Sequence, residues 1–178
     1  WDAEVADILL HHRTIIERRW EIMCAQAMIY AKVLVEYPDG GWAAYEYDRE
    51  GREIAVRTPF GNATPASATN QCRLTRYYYP GNAILASFAF PSADLAVTND
   101  QRPRLMIEEA LGAEVARTYT ACLFASNVVK RSMAAGVSYD SPSNLVTVTC
   151  LLSSGPFLGR PWKTEYPDGT LSVYSYGL

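Results

Sequence analysis

The sequence predicts a mainly β fold, an antiparallel sheet of hairpins and meanders preceded by one amphipathic helix. From about residue 32 onward, apolar and polar residues alternate in short runs, as they do along a half-buried strand. The phrase Tyr-Pro-Asp-Gly, followed by two further tyrosines, begins at Tyr37 and again at Tyr166. A length of 178 residues suits a single core. We therefore predict a helix over residues 1–31 and a β domain over residues 32–178.

The N-terminal segment carries its apolar residues at helical spacing. Asp2 stands where an N-cap is expected, and Glu4 falls in the first turn. The apolar positions, mostly three or four apart, are Val5, Ile8, Leu9, His12, Ile15, Ile16, Met23, Ala27 and Tyr30. We expect this helix to pack across the sheet or against a neighbouring chain.

The first strands form a predicted meander. "KVLVEY" and "WAAYEY" flank residues 38–41, Pro-Asp-Gly-Gly, in which proline presets the turn angle and glycine accepts a positive φ. A second turn is expected at residues 48–51, and "REIAVRT" follows as a third strand.

Later segments are read in the same way. "PFGNATPASATNQ" is predicted as a loop, and "CRLTRYYY" and "LVTVTCLL" as strands. "RLMIEEAL" and "EVARTYTACLF" form a predicted hairpin around Gly112. Residues 80–101 receive no assignment, and residues 126–144 are ambiguous. "PWKTEY" and "TLSVYSY" form the last predicted hairpin, turning at "PDG".

The first and last hairpins align residue by residue. Glu36–Gly40 matches Glu165–Gly169, and two tyrosines follow each turn at equal spacing. Because side chains alternate along a strand, the two tyrosines of each pair are predicted to share one face. Cross-strand aromatic contacts of about 0.2–1 kcal/mol would then fix the register. The predicted repeat positions, which also form the possible binding face, are Tyr37, Asp39, Gly40, Trp42, Tyr45, Tyr47, Tyr166, Asp168, Gly169, Tyr174 and Tyr176.

Charge and hydropathy exclude several kinds of partner. The 16 basic and 19 acidic residues are dispersed, with a formal charge of -3, which argues against nucleic acid and anionic membranes. No apolar stretch reaches the ~20 residues of a membrane span.

The inventory of reactive residues predicts no enzyme. Cys24, Cys72, Cys122 and Cys150 are far apart, so they predict no zinc site and leave disulfides open. The adjacent His11 and His12 would point about 100° apart on a helix, unable to face one metal. Two carboxylates, Asp39 and Asp168, are explained by their turns without glycosidase chemistry. No nucleotide-binding or protease motif occurs, and we expect no catalytic residue, cofactor or metal.

The repeated phrases resemble the tyrosine-aspartate (YD) repeats of bacterial RHS proteins. "YEYDREGRE" is similar to the repeat core, with Tyr47 and Asp48 before a glycine turn and Gly51-Arg52 opening the next strand. "VRTPFGNATP", "CRLTRYYY", "PRLMIEEALGAEVARTY" and "SNLVTVTCLLSSGPFLGR" extend the likeness from about Tyr30 to the end, with gaps at residues 80–101 and 128–140.

The resemblance implies an antiparallel sheet wound into a hollow shell, which in that family often holds a C-terminal toxin. The family's self-cleaving motif and effector domain are absent from this sequence, so neither proteolysis nor toxicity is carried over. Separately, "IIERRWEIMCAQAM" is similar over about fourteen residues to a helix of lambda-type phage major capsid proteins.

Three functions follow as expectations. The first is a structural repeat segment of an RHS-like shell or of a secreted or surface protein, with its export signal outside this chain; a cytoplasmic location stays open. Its expected partners are neighbouring repeats or other copies, joined through sheet edges, with a protein cargo or glycan as a further partner. The alternative is a β module that binds carbohydrate or another ligand through tyrosine and tryptophan. The third is a capsid-like assembly subunit.

Overall fold

The computed structural model describes residues 31–95, 101–123 and 125–177, which form one antiparallel sheet of ten strands. The strands lie side by side in the order in which they occur along the chain. Their bounds are β1 Lys32–Glu36, β2 Trp42–Tyr47, β3 Glu53–Pro59, β4 Cys72–Tyr78, β5 Leu105–Ala110, β6 Ala113–Leu123, β7 Ser126–Ser132, β8 Leu145–Leu151, β9 Pro161–Glu165 and β10 Leu171–Val173. The prediction of a mainly β fold is confirmed. The predicted helix lies, apart from Ala31, outside the described residues.

Most predicted strands are found where the alternation placed them. Residues 80–101, which received no assignment, contain two short helices, α1 Ile84–Ser87 and α2 Ser92–Leu95. The ambiguous stretch after residue 126 begins with β7. A 3-10 turn, Thr69–Gln71, closes the loop before β4.

The last strand is shorter than predicted. The sequence predicted a strand through Tyr176, but β10 ends at Val173. The hydrogen-bond ladder between β9 and β10 stops at Tyr174, whose N–H donates to the Trp162 carbonyl at 3.0 Å. The next partner would be Arg160, whose N–H donates to the Phe157 carbonyl and whose carbonyl accepts from Leu152. Both backbone groups of Arg160 are therefore bonded to residues outside β10, and its N–H is not available to extend the ladder.

The two faces of the sheet differ. We call the face that carries Leu105 and Tyr119 the covered face, and the face that carries Tyr45 and Thr75 the open face. On the covered face lies a core cluster of Leu85, Phe90, Leu105, Ile107, Tyr119 and Ala121, against which Tyr78, Phe88, Val128 and Tyr139 pack. Segments between strands therefore supply the second layer that this face needs.

Two excursions meet over this core. One lies between β4 and β5 and carries Phe88 and Phe90; the other lies between β7 and β8 and carries Tyr139. The Tyr139 N–H donates to the Phe88 carbonyl at 2.9 Å, and its ring meets Phe90 edge-on with centroids 5.2 Å apart. Tyr119 lies beneath them, with its hydroxyl donating to the Val137 carbonyl at 2.6 Å.

A buried ion pair attaches α2 to the sheet. The side chains of Asp94 and Arg104 are fully buried, with Arg104 Nε 2.7 Å from Asp94 Oδ2. Asp94 Oδ2 also accepts the Cys122 N–H of β6 at 3.0 Å. A buried charge is tolerated when it is paired and hydrogen-bonded in this way.

A loop covers the start of β2. The Trp42 indole donates to the Ala63 carbonyl at 3.0 Å, and the Arg57 guanidinium donates to the carbonyls of Pro65 and Ser67. Among the described residues, no helix has the length and apolar character needed to cross a membrane.

Candidate functional site

The two Tyr-Pro-Asp-Gly phrases form the same turn. The Tyr37 N–H donates to the Gly41 carbonyl at 2.7 Å, and the Tyr166 N–H donates to the Thr170 carbonyl at 3.0 Å. The glycine N–H returns to the tyrosine carbonyl at 3.0 Å in both, and the glycine φ angles are +83° at Gly40 and +80° at Gly169. This left-handed conformation explains why glycine occupies the position.

The turn aspartates act as local acceptors. Asp39 Oδ1 accepts the Gly41 N–H at 2.9 Å, and Asp168 Oδ1 accepts the Thr170 N–H at 3.0 Å. Bonds from the Thr170 hydroxyl and N–H lower the pKa of Asp168. Both carboxylates therefore have a structural partner within their own turns.

A third turn, between β2 and β3, has the same backbone bonds with a different side-chain acceptor. The Asp48 N–H donates to the Arg52 carbonyl, and the Gly51 N–H donates to the Asp48 carbonyl. Asp48 Oδ1 accepts the N–H groups of Glu50 and Arg52, both at 2.9 Å, while Oδ2 accepts from Arg52 Nε at 2.7 Å. Burial acts to raise the pKa of Asp48, but these bonds outweigh it and lower the pKa.

The register of the two hairpins is also the same. Glu36 lies opposite Trp42 in the first, and Glu165 lies opposite Leu171 in the second. Each position of the second hairpin is 129 residues beyond its equivalent, since 165 − 36 and 171 − 42 both give 129. Strand pairing places Leu34 and its equivalent Lys163 on the covered face. The hairpins thus have the same orientation in the sheet.

Tyr45 and Tyr47 lie on the open face, as the alternation predicts. The ring contacts predicted along this ladder are not found, since none of the five close ring pairs of the described residues includes either tyrosine. A hydrogen bond with the Tyr37 hydroxyl, followed by burial, raises the pKa of Tyr45 to about 12.

Glu53 connects the open-face tyrosine row, Tyr45 and Tyr47, to β4. Burial raises the pKa of its carboxyl, and a hydrogen bond with Tyr77 partly opposes that rise. The pKa of Tyr47 is raised by burial and by the charge of Glu53. The Tyr79 hydroxyl donates to the Glu53 carbonyl at 2.7 Å. These contacts connect β2, β3 and β4 through side chains as well as backbone.

The tyrosines of the last hairpin are arranged differently. The Ser172 hydroxyl lies 3.4 Å from the Tyr166 hydroxyl. Tyr176 lies beyond β10, stacks on Phe157 with centroids 5.2 Å apart, and donates to the Pro161 carbonyl at 2.6 Å. Tyr174 is 41% exposed and pairs through its backbone with Trp162, which is 40% exposed.

Trp42 does not join Tyr45 on one surface. It is only 4% exposed and lies on the covered face, with the Arg57 guanidinium 5.4 Å above its ring. The structure therefore separates the eleven predicted positions into the two turns, the open-face pair of Tyr45 and Tyr47, a buried tryptophan, and two tyrosines that lie beyond β10.

A groove of about 600 Å³ lies on the covered face across β1–β4. Its lining includes Leu34, Ala44 and Leu74 together with the charged side chains of Arg57 and Arg76. The guanidinium of Arg57 bonds to loop carbonyls and Arg76 Nε bonds to Glu109 at 3.1 Å, so both cations have protein partners.

Residues of metal-ligating type are dispersed in the part of the chain that the structure describes. No group of three or more histidine, cysteine, aspartate or glutamate residues there is placed to hold a metal ion. Cys72 and Cys150 are free thiols, which answers the disulfide question for these two.

Sequence reasoning missed a cation cluster over the core. Arg117 is buried, with its guanidinium 4.4 Å from the Phe88 ring centroid and bonds to Glu114 and the Tyr119 hydroxyl. Lys130 lies 3.8 Å from the Tyr139 ring centroid. A signal was available: Arg117 falls at an inward-facing position of the alternating β6 pattern, where a charge needs a partner.

Comparisons with known proteins return no match. No protein-family model matches the chain, no curated protein matches it, and no solved structure matches its fold.

Proposed function

We propose that the protein is a structural β-sheet segment, part of an RHS-like shell or of a secreted or surface protein, without catalysis of its own. The observation that carries the proposal is the equivalence of the first and last hairpins. Their turns share backbone bonds and glycine conformation, and their strands share register and facing. A repeated hairpin held in one orientation is a unit that extends a sheet.

The strand order supports the same role. Each strand pairs with its neighbours in sequence, so strands can be added at either end without crossing the existing sheet. In the described residues, β1 and β10 each have one strand neighbour. Unpaired strand edges expose backbone donors and acceptors that favour pairing with another chain.

Assembly state tests this proposal. Size-exclusion chromatography with light scattering on the full chain should show an average mass that rises with protein concentration. A concentration-independent monomer that binds a glycan array would contradict the structural role. Closed particles in electron micrographs would instead favour a capsid-like subunit.

One observation favours carbohydrate binding as a second candidate. Trp162 and Tyr174 are each about two-fifths exposed, and their backbones are paired. Exposed aromatic rings at one place provide faces on which sugar rings stack. Glycan-array binding that is lost in Tyr174→Ala and retained in Tyr37→Ala would support this role, whereas no binding by the unaltered chain would reject it.

A further inference from the structure

Within the described part of the chain, the last hairpin, β9–β10, lacks the outer neighbour that the first hairpin, β1–β2, has in β3. β2 is flanked on its far side by β3, with Ala44 opposite Arg57 and Tyr45 opposite Val56. The positions 129 residues later are Val173 and Tyr174. Among the described residues, the corresponding side of β10 has no strand.

Exposure shows the consequence of this difference. Leu171 is 60% exposed, whereas its equivalent Trp42 is 4% exposed. Val173 is 73% exposed, whereas its equivalent Ala44 is partly buried. An edge strand with adjacent large apolar side chains is one that natural sheets ordinarily protect.

The backbone groups on this edge can be assigned from the turn. The Tyr166 N–H bonds to Thr170 and the Tyr174 N–H bonds to Trp162, so even-numbered residues of β10 direct their backbone groups toward β9. Alternation in an antiparallel ladder then directs the N–H and C=O groups of Leu171 and Val173 outward. These groups correspond to those by which β2 binds β3.

We infer that the outer edge of β10 is a docking site for an extended β-strand segment similar to β3, contributed by another repeat and added antiparallel. This inference rests on the proposed function and specifies its partner. The docked strand must have an unpaired edge and side chains with apolar stems that cover Leu171 and Val173. In the first hairpin, Arg57 of β3 supplies such a stem opposite Ala44.

The chain supplies its own probe. A synthetic peptide with the sequence of residues 51–59, Gly-Arg-Glu-Ile-Ala-Val-Arg-Thr-Pro, carries the β3 strand. Titration of the full-length protein with this peptide should shift the amide NMR signals of Leu171 and Val173 in a saturable manner, more than those of β1. A scrambled peptide that breaks the alternation serves as the ligand control.

Two variants at one position separate backbone docking from side-chain loss. Val173→Pro removes the outward N–H while leaving the bonds to β9, and edge strands tolerate proline. Val173→Thr retains both the N–H and the branched side chain. We expect peptide affinity to fall at least tenfold in Val173→Pro and less than threefold in Val173→Thr.

Other outcomes would overturn the inference. These are the absence of shifts at millimolar peptide, larger shifts at β1 than at β10, or equal affinity of the two variants. If the proline variant does not fold, the signal mapping on the unaltered chain decides alone. Concentration-dependent assembly that persists without peptide binding at β10 would leave the structural role standing and reject only this site.

Discussion

Asp94→Ala is expected to destabilise the protein by about 3–5 kcal/mol, because it removes a buried carboxylate that is paired with a buried guanidinium. Asp94 is 2% exposed. The side chain of Arg104 is fully buried, with its Nε 2.7 Å from Asp94 Oδ2. The substitution also removes the acceptor of the Cys122 N–H, a group whose loss of partner costs about 1–3 kcal/mol when buried. Water entering the vacated space would bring the total toward the lower value.

The double variant Asp94→Leu with Arg104→Met provides the decisive comparison. Replacing a whole buried ion pair by apolar side chains is neutral or stabilising by about 1–4 kcal/mol. The Cys122 N–H still loses its acceptor, so we expect a net change within about 2 kcal/mol of the unaltered protein. The double variant should therefore be more stable than Asp94→Ala.

Urea unfolding at neutral pH, followed by circular dichroism, measures these differences. Glu50→Ala is the exposed control, since Glu50 forms a surface pair with Arg52 and should contribute less than about 1 kcal/mol. A loss below about 1 kcal/mol for Asp94→Ala would refute the reasoning. So would a double variant as unstable as the sum of its two single changes.

Three further changes test the turns and the tyrosine row. The lowered pKa of Asp48 implies a contribution to stability that is present above pH 3.8, its usual pKa, and is lost as pH falls through the folded pKa. Acid unfolding of Asp48→Asn should lack this contribution, and an unchanged dependence of stability on pH would contradict it. Tyr37→Phe should lower the pKa of Tyr45 from about 12, measured as tyrosinate absorbance against a Tyr45→Phe reference. The stability linked to this pKa is fully present below pH 10 and declines as pH rises through the folded pKa. An unchanged pKa of Tyr45 would exclude the hydroxyl bond. Gly40→Ala and Gly169→Ala should each cost about 1–2 kcal/mol in urea unfolding, because both φ angles are positive and a Cβ would meet nothing within 4 Å; neutral variants would contradict the turn assignment.

The hairpins were predictable because their signals are local. Pro-Asp-Gly specifies a turn within a few residues, and strand alternation then places Tyr45 and Tyr47 on one face. The short extent of β10 was not predictable in this way. It depends on Arg160, whose backbone groups bond to Phe157 and Leu152 across a separate loop.

The second layer of the core was hidden for a related reason. α1 and α2 are single turns, too short to show helical periodicity. Asp94 binds Arg104 ten residues away and the backbone of Cys122 twenty-eight residues away. Such partners are chosen by the folded chain, so the sequence gives no spacing from which to infer them.

The sequential strand order should let the sheet tolerate the gain or loss of strand pairs. Because neighbouring strands in space are neighbours along the chain, a two-strand unit can be gained or lost while every remaining strand keeps its direction. Loss of a single strand would instead reverse all those after it and exchange their inner and outer surfaces. The sheet can thus change its number of strands most readily by whole hairpins.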